Sequence, residues 1–442
     1  MTAPLISYYG DDFTGSTDVM EALSSNGVET VLFTQQPDEA WLKRFSNARA
    51  IGLAGYSRSR PPAWMDAELP AIFRWLAGLG APVCHYKVCS TFDSAPHQGS
   101  IGRALEIGLE SFCQNVAPIV VGAQQLGRYT FFGELFARFG GEVFRIDRHP
   151  VMSRHPATPM GEADLRVHLS RQTSLPIGLV DLPSIHNGTA SEKLDAVFGT
   201  SARAILIDVA DAESQKRVGQ MLWNERRRLG PFVVGSSGVE YALVEAWREA
   251  GIVGPAKTYE PLDQAARIAV VSGSCSPTTE RQINFAAANG FVPIEVDYVA
   301  LASGQGVDQA EATALARASE VLQDGASPLL HTALGPVGAG ETAGRPALDN
   351  DRVGQRLGAM LHKLSQEQGL HRVVVAGGDT SSHALDALGV AALTLRHPIP
   401  QSPGSPVCLA HAADGNRQFE IVLKGGQVGK DDFFVAVRDG DI

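Results

Sequence analysis

Short apolar runs rich in β-branched residues recur along the chain and alternate with longer segments of helical periodicity. The clearest of these runs are Thr30–Phe33, Pro118–Gly122, Ala204–Asp208, Phe232–Gly235, Ile268–Ser272 and Arg372–Ala376. Because they show no alternation of polar and apolar residues, they are typical of parallel strands covered on both faces. A chain of 442 residues also exceeds what one hydrophobic core usually organises. We therefore predict an α/β fold with two domains, each a mostly parallel sheet flanked by helices.

The segment Gly251–Gln264 interrupts this alternation. It carries glycine and proline without a helical or strand period, and Arg267 then begins a new strand, loop and helix. Domain boundaries usually fall in such segments. We predict one domain over residues 1–258 and a second over residues 259–442.

The formal net charge of −11 argues against a nucleic acid or an anionic membrane as partner, since either would require a basic surface. An anionic small molecule would have to be bound by a few local cations. The cysteines include no C-x-x-C pair, which predicts free thiols in a reducing cytoplasm. No leader segment and no apolar run of about 18 residues is evident, so we expect neither export nor a membrane span.

Two adjacent carboxylates stand near the start of the chain, within Leu5–Asp18. An apolar, aromatic run precedes Asp11 and Asp12, and a small polar turn follows them and leads into a segment with helical spacing. The pair is therefore predicted at the carboxyl end of a strand, where open α/β sheets gather ligands. The alternative is that one carboxylate caps the helix and the other is solvated.

Cations and hydroxyls follow two further strand-like runs of the first domain. Arg58 and Arg60 lie in a loop that ends in prolines, and Lys87 precedes the hydroxyls of Ser90 and Thr91. Arginine can hold a carboxylate in a bidentate fork, whereas lysine supplies a point charge. We expect Arg58 and Lys87 to bind a ligand and Arg60 to be solvated.

The proline-rich segment His149–Met160 contains two His-Pro pairs. Its histidine spacing matches no closed zinc pattern, so we predict no metal site formed by the protein there. A loop that covers a substrate or contacts the other domain is the favoured interpretation.

Three segments of the second domain share one design, in which a strand runs into a turn of small residues. Backbone N–H groups and hydroxyls of such turns can converge on an anion. The residues predicted to contact a nucleotide are Ser272, Ser274, Ser276, Gly377, Gly378, Asp379, Thr380, Ser381, Gly425 and Gly426, with Lys424 or Lys430 available for negative charge. One such loop is an ordinary connector, but three in one domain favour a nucleoside triphosphate. Neither a P-loop nor a G-x-G-x-x-G fingerprint is present.

Together these segments resemble the four-carbon acid sugar kinase family over nearly the whole chain. The motifs that carry the resemblance are Asp11–Asp18, Ser57–Ser59, Lys87–Asp93 with Gly99–Gly102, His155–Met160, Ser272–Ser276, Gly377–Ser381 and Lys424–Gly429. The resemblance implies that the first domain binds a sugar acid and the second binds ATP. It also implies that a terminal hydroxyl of the acid is phosphorylated in the cleft between the domains.

The segment Lys87–Ser94 departs from the family pattern. Many members read Lys-x-Asp-Ser-Thr-x-Arg-Gly, whereas this chain has Cys89 in place of the acidic residue and Asp93 in place of the arginine. The charge pattern of the pocket therefore differs, and four substrates stay open: D-threonate, D-erythronate, 3-oxo-tetronate and the branched 3-oxo-isoapionate. The altered charge pattern favours the last two.

For a kinase of this type we expect Asp12 to accept the proton of the attacking hydroxyl and Asp11 to orient that hydroxyl or nearby water. The other predicted ligands of the acid are two cations for its carboxylate and carbonyl and three hydroxyls, namely Arg58, Lys87, Thr14, Ser90 and Thr91. Mg²⁺ is expected to bridge the β- and γ-phosphates, held by phosphate oxygens and water.

Two other functions are alternatives to a kinase. A lyase or epimerase would use the aspartate pair to remove a proton next to a carbonyl and would need no ATP. A sugar-acid sensor with a nucleotide-binding half would bind both ligands without turnover. The oligomeric state is left open, with a homodimer as one option.

Overall fold

The computed structural model describes residues 3–155, 157–335 and 349–442, apart from the side chains of Asn350 and Asp379. Most of the glycine-rich segment at 335–344, interpreted from the sequence as a loop, lies outside the described residues. The described chain forms two compact units. Unit 1 comprises the residues up to Val31 together with Gln36–Lys257, and unit 2 comprises Leu32–Gln35 together with the described residues of 258–442.

The strands numbered from the N-terminus to the end of unit 1 are β1 Ile6–Gly10, β2 Thr30–Phe33, β3 Ala50–Ala54, β4 Cys84–Lys87, β5 Ala117–Val120, β6 Arg128–Phe131, β7 Glu134–Phe139, β8 Glu142–Arg145, β9 Ile177–Val180, β10 Ala204–Ile207 and β11 Phe232–Gly235. Seven of them form a sheet in the order β3-β1-β4-β11-β5-β10-β9, and every adjacent pair is parallel. The central strands are buried along their whole length, as apolar runs without alternation predict. A separate antiparallel sheet is formed by β6, β7 and β8.

Helices cover this sheet. They are α1 Phe13–Ser25, α2 Glu39–Arg44, α3 Pro62–Gly78, α4 Ile101–Ser111, α5 Leu165–Leu169, α6 Leu182–His186, α7 Ala190–Phe198, α8 Ala212–Asn224, α9 Arg226–Leu229 and α10 Gly238–Glu249. Short 3₁₀ turns lie at Ser57–Ser59, Gln124–Leu126, Ile146–Arg148 and Met152–Arg154.

The strands of unit 2 are β12 Ala269–Ser272, β13 Phe291–Glu295, β14 Ser327–His331, β15 Arg372–Ala376, β16 Val390–His397, β17 Val407–Ala412 and β18 Gln418–Lys424. Their order is β13-β14-β12-β15-β18-β17-β16, and the first five are parallel. The pairs β18-β17 and β17-β16 are antiparallel. The helices are α11 Pro277–Ala287, α12 Tyr298–Ser303, α13 Val307–Gln323, α14 Asn350–Glu367, α15 Gly378–Ala387 and α16 Phe433–Asp439.

The predicted fold class, two α/β domains with mostly parallel sheets, is confirmed. The sequence did not indicate that Leu32 and Phe33 belong to unit 2. They pair antiparallel with Leu393 and Ala392 of β16, so a short segment of the N-terminal half completes the edge of this second sheet. The exact boundary at residue 258 stays a prediction.

Each of the five cysteines is a free thiol. In the part of the chain that the structure describes, no helix is long and apolar enough to cross a membrane.

Candidate active site

The carboxyl ends of three neighbouring strands of unit 1 bring the first group of predicted residues together. Asp11 follows β1, Arg58 follows β3 and Lys87 ends β4. The Asp11 N–H donates to the carbonyl oxygen of Lys87 at 2.9 Å, and its own carbonyl accepts from the Arg58 N–H at 3.1 Å. The backbone therefore fixes the three side chains at one edge of the sheet, where the sequence predicted them.

Asp12 is the N-cap of α1. Its Oδ1 accepts a hydrogen bond from the Gly15 N–H and a longer one from the Thr14 hydroxyl at 3.4 Å. Its Oδ2 accepts from Arg58 Nη1 at 2.7 Å. Burial opposes ionisation of Asp12, but the charges of Arg58 and Lys87 and the Gly15 N–H outweigh it and lower the pKa. The capping alternative thus holds for Asp12, which is also an ionised carboxylate with one fifth of its side chain exposed.

Asp11 has the opposite environment. Its side chain is buried, and Oδ1 has no hydrogen-bond partner among the described residues. Burial, reinforced by the charge of Asp12, raises the pKa of Asp11 to about 8 in spite of Arg58 and Lys87. At neutral pH the pair is therefore divided into a protonated Asp11 and an ionised Asp12.

Lys87 is almost completely buried and lies beside Asp18 of α1, with 3.5 Å between Nζ and Oδ2. Burial opposes its charge, but the nearby carboxylates, chiefly Asp18 and Asp12, raise its pKa overall. Gly15 allows this approach: a Cβ there would lie 2.6 Å from Asp12 Oδ1 and 3.0 Å from Lys87 Nζ. The ion pair between Asp18 and Lys87 was not predicted from the sequence.

Arg58 also binds a second carboxylate. Its Nη2 donates to both oxygens of the buried Asp93, at 3.0 and 3.1 Å. Asp93 accepts further hydrogen bonds from the hydroxyls of Thr91, at 2.6 Å, and Thr158, at 2.8 Å. Burial would raise the pKa of Asp93, but the Arg58 charge and these donors lower it well below the usual range. Arg58 is therefore held between Asp12 and Asp93.

The remaining predicted ligands of this site differ in their burial and in their hydrogen bonds. Thr91 is buried, with its hydroxyl also 3.0 Å from Cys89 Sγ, and its main partner is Asp93. Thr14 and Ser90 are half-buried at the rim. Thr158 was not predicted from the sequence, although it lies in the proline-rich segment His149–Met160.

In unit 2, the loops after β12, β15 and β18 meet because these strands are adjacent. The Ser274 hydroxyl lies 3.0 Å from Thr279 Oγ1, and the Ser276 N–H donates to Ser274 Oγ at 3.3 Å. The Ser276 hydroxyl donates to the carbonyl oxygen of Gly426, which also accepts from Thr279 at 3.2 Å. Ser272 accepts from the Ser274 N–H at 3.4 Å. Thr279, on the first turn of α11, was not predicted.

The loop after β15 approaches the same place through its backbone. Gly377, at φ +121°, donates its N–H to the Lys424 carbonyl at 2.8 Å, and a Cβ there would lie 2.9 Å from Thr380 Oγ1. The Ser381 hydroxyl donates to the Gly377 carbonyl at 2.7 Å. A Cβ on Gly378 would meet nothing within 4 Å, so the start of α15 is open. The side chain of Asp379, also predicted, lies outside what the structure describes.

Lys424 lies beneath these loops and is completely buried. Its Nζ donates to the Gly425 carbonyl at 2.9 Å and to Thr279 Oγ1 at 3.2 Å, and it forms no ion pair with a described carboxylate. Burial lowers the pKa of Lys424 to about 7. Hydroxyls, open backbone N–H groups and a buried amine suit the phosphates of a nucleotide.

Within the described residues, no three His, Cys, Asp or Glu side chains are grouped so that they could hold a metal ion.

Two protein-family profiles match the two halves of the chain. The profile described as a sugar-binding N-terminal domain matches residues 6–243, and the profile described as a nucleotide-binding C-terminal domain matches residues 269–434.

Named relatives match over nearly full length. The chain is 45% identical to a 3-oxo-isoapionate kinase of Paraburkholderia graminis, over 99% of this chain and 94% of that one. It is 30% identical to a 3-oxo-tetronate kinase of Cupriavidus necator, over 98% of this chain and 96% of that one. A solved structure of a Salmonella typhimurium protein, 25% identical, superposes with a TM-score of 0.76 over 97% of this chain and 98% of that one.

Proposed function

The chain belongs to the four-carbon acid sugar kinase family, and from that membership we propose that it transfers the γ-phosphoryl group of ATP to a terminal hydroxyl of 3-oxo-isoapionate or a closely similar branched acid. The choice among the four candidate acids is supported by identity, which is 45% to a 3-oxo-isoapionate kinase and 30% to a 3-oxo-tetronate kinase over similar lengths. Cytoplasmic location and assembly as a homodimer stay predictions.

The catalytic proposal rests on the contrast between Asp11, which is buried with an unpaired Oδ1, and Asp12, which is partly exposed and bound by Arg58. Asp12 is ionised and partly exposed, so it can accept a proton from a substrate hydroxyl. Asp11 keeps its proton at neutral pH and can donate a hydrogen bond that orients the same hydroxyl. The hydroxyl oxygen forms a bond to the γ-phosphorus, the bond from that phosphorus to the β,γ-bridging oxygen breaks, ADP leaves, and the hydroxyl proton passes to Asp12.

The substrate oxygens are proposed to bind around this pair. The proposed ligands are Thr14, Arg58, Lys87, Ser90 and Thr91, as the sequence predicted. Arg58 has a second effect: through its bond to Asp12 it keeps that carboxylate ionised in a buried setting.

The nucleotide is proposed to bind in unit 2, with its phosphates against the loops after β12, β15 and β18. Lys424 is the proposed point charge for them, and the hydroxyls of Ser274, Ser276 and Thr279 keep its surroundings polar. Mg²⁺ would neutralise phosphate charge and be held by phosphate oxygens and water, since the described residues offer no carboxylate cage.

The direct test is a coupled assay of ADP release with Mg-ATP and a panel of 3-oxo-isoapionate, 3-oxo-tetronate, D-threonate and D-erythronate. We expect the highest kcat/KM with 3-oxo-isoapionate and no ADP without an acid. Conversion of an acid in the absence of ATP would instead support a lyase or epimerase. Binding of both ligands without ADP release would support a sensor.

A further inference from the structure

The two cations of the sugar-acid site are already engaged by carboxylates. Arg58 binds Asp12 and Asp93, and Lys87 lies against Asp18. Burial raises the pKa of Asp18, and even with Asp11 and Asp18 both protonated the carboxylates of Asp12 and Asp93 balance the two cations. A substrate that brings a further negative charge therefore finds no surplus positive charge in this cluster.

Arg128 is a third cation at the same edge of the sheet. It follows β5 and opens β6, and β5 adjoins β11, which adjoins the Lys87 strand β4. Its guanidinium is partly buried, and burial lowers its pKa, while Cys89 and Tyr129 partly offset that effect.

The hydrogen bonds of Arg128 leave one edge of its guanidinium without a partner among the described residues. Nη1 donates to the carbonyl oxygens of Leu126, at 2.8 Å, and Gly127, at 3.3 Å. Nε is buried without a partner, Nη2 donates to no described residue, and no described carboxylate forms an ion pair with Arg128. The Nε and Nη2 groups together form the edge of the fork that binds a carboxylate bidentately.

Cys89 lies close enough to both Arg128 and Arg58 to affect their charges. The thiol interacts electrostatically with both Arg128 and Arg58. Burial raises its pKa, so Cys89 is uncharged at neutral pH and does not neutralise Arg128. His149 is a further titratable neighbour, whose pKa is lowered by burial and by Arg128, so it is also uncharged at neutral pH.

We propose that the unpaired Nε–Nη2 edge of Arg128 binds the carboxylate of the sugar acid, which places the acid end of the substrate on the Cys89 side and the reacting hydroxyl at Asp12. The inference rests on the proposed function and adds the residue that selects acids over uncharged sugars. Arg58 and Lys87 are then left to contact the uncharged oxygens of the substrate.

The test removes the positive charge of Arg128 from the protein and, separately, the negative charge of the carboxylate from the ligand. Arg128→Gln, Arg128→Lys and wild type are titrated with 3-oxo-isoapionate and with its primary amide by calorimetry without ATP, and both compounds are also assayed for ADP release. Arg148→Gln, which removes an exposed arginine twenty residues further along, is the matched control.

We expect Arg128→Gln to weaken binding of the acid, and to raise its KM, by ~10–100-fold, the range for losing a charge-assisted bidentate contact. Binding of the amide should change less than about threefold, kcat should stay near the wild-type value, and Arg128→Lys should recover part of the loss. Arg148→Gln should behave as wild type.

Equal loss for acid and amide in Arg128→Gln would overturn the inference, because it would mean that Arg128 only supports the fold. Unchanged affinity for the acid would overturn it as well. The proposed function fails in a different way, since wild type would then bind the acid in calorimetry but release no ADP.

Discussion

The two candidate sites differ in how they handle charge. In unit 1 the carboxylates of Asp12, Asp18 and Asp93 are matched to Arg58 and Lys87 by direct ion pairs. In unit 2 the corresponding edge of the sheet carries hydroxyls, glycine backbone and one buried amine, Lys424, with no ion pair to a described carboxylate. In the first site each cation has a carboxylate partner before a ligand arrives, whereas the amine of the second site has none among the described residues and can pair with a ligand.

This difference separates the chemical roles of the two units. Paired charges hold side chains in a fixed geometry and set the protonation of each carboxylate, as proton transfer requires. A buried amine with a lowered pKa is suited to a polyanion, because a bound phosphate favours its charged form. Changes in unit 1 should therefore act on turnover and on the acid, and changes in unit 2 should act on the nucleotide.

The largest effect is expected from Asp12→Asn. The change removes the proposed proton acceptor and should lower kcat by ~10²–10⁴-fold while the affinity for ATP stays near wild type. Asp38→Asn is the matched control, because Asp38 caps α2 through the Trp41 N–H at an exposed position. A near-normal kcat in Asp12→Asn would show that Asp12 is not the proton acceptor. It would also contradict the assignment of proton transfer to unit 1.

A smaller effect in the other unit is expected from Lys424→Met. Loss of the amine should weaken ATP binding by ~10–100-fold without changing the affinity for the sugar acid. Calorimetric titration of each ligand separately gives both values. Lys363→Met, at an exposed lysine of α14, should leave both unchanged. Weaker acid binding in Lys424→Met would contradict the assignment of separate roles.

Protonation of Lys424 offers a sharper version of the same test. Because its pKa is lowered to about 7, most of the side chain is neutral at pH 8, and ATP should draw it into the charged form. Binding at pH 8 should then take up close to one proton in wild type and fewer in Lys424→Met. Calorimetry in buffers of different ionisation enthalpy measures this number, and equal uptake in both proteins would rule out Lys424 as its source.

The smallest effect concerns stability. The folded pKa of Asp11 is about 8, above its usual value, so the folded state holds a proton that the unfolded chain releases between about pH 4 and pH 8. The contribution of Asp11 to stability is full below that range and is lost as pH rises through it. Asp11→Asn should therefore show a smaller fall in Tm between pH 5 and pH 8.5, by roughly a few degrees. Parallel melting curves of the two proteins would contradict a buried, protonated Asp11.

Local signals explain what the sequence predicted. Apolar runs without alternation identified the parallel strands, and polar residues directly after those runs placed Asp11, Asp12, Arg58 and Lys87 at one edge. The same reasoning found the glycine and serine turns of unit 2. These features depend on residues that are close together in sequence, which a pattern can reveal.

Contacts between residues far apart in the chain could not be predicted from the sequence. Asp93 and Thr158 are 65 residues apart, and no local pattern joins them. Arg128 is the first residue of β6, and the lack of a partner for its Nε is seen only when its hydrogen bonds are known. The antiparallel pairing of Leu32 and Phe33 with β16 likewise depends on a contact over more than 350 residues.

The most direct test of the central claim is a ³¹P NMR spectrum of the wild-type reaction with Mg-ATP and 3-oxo-isoapionate. The account predicts equal amounts of ADP and a new phosphomonoester, with neither formed at a comparable rate by Asp12→Asn. Inorganic phosphate in place of the phosphomonoester, or no loss of ATP while the acid is bound, would contradict phosphoryl transfer to the sugar hydroxyl.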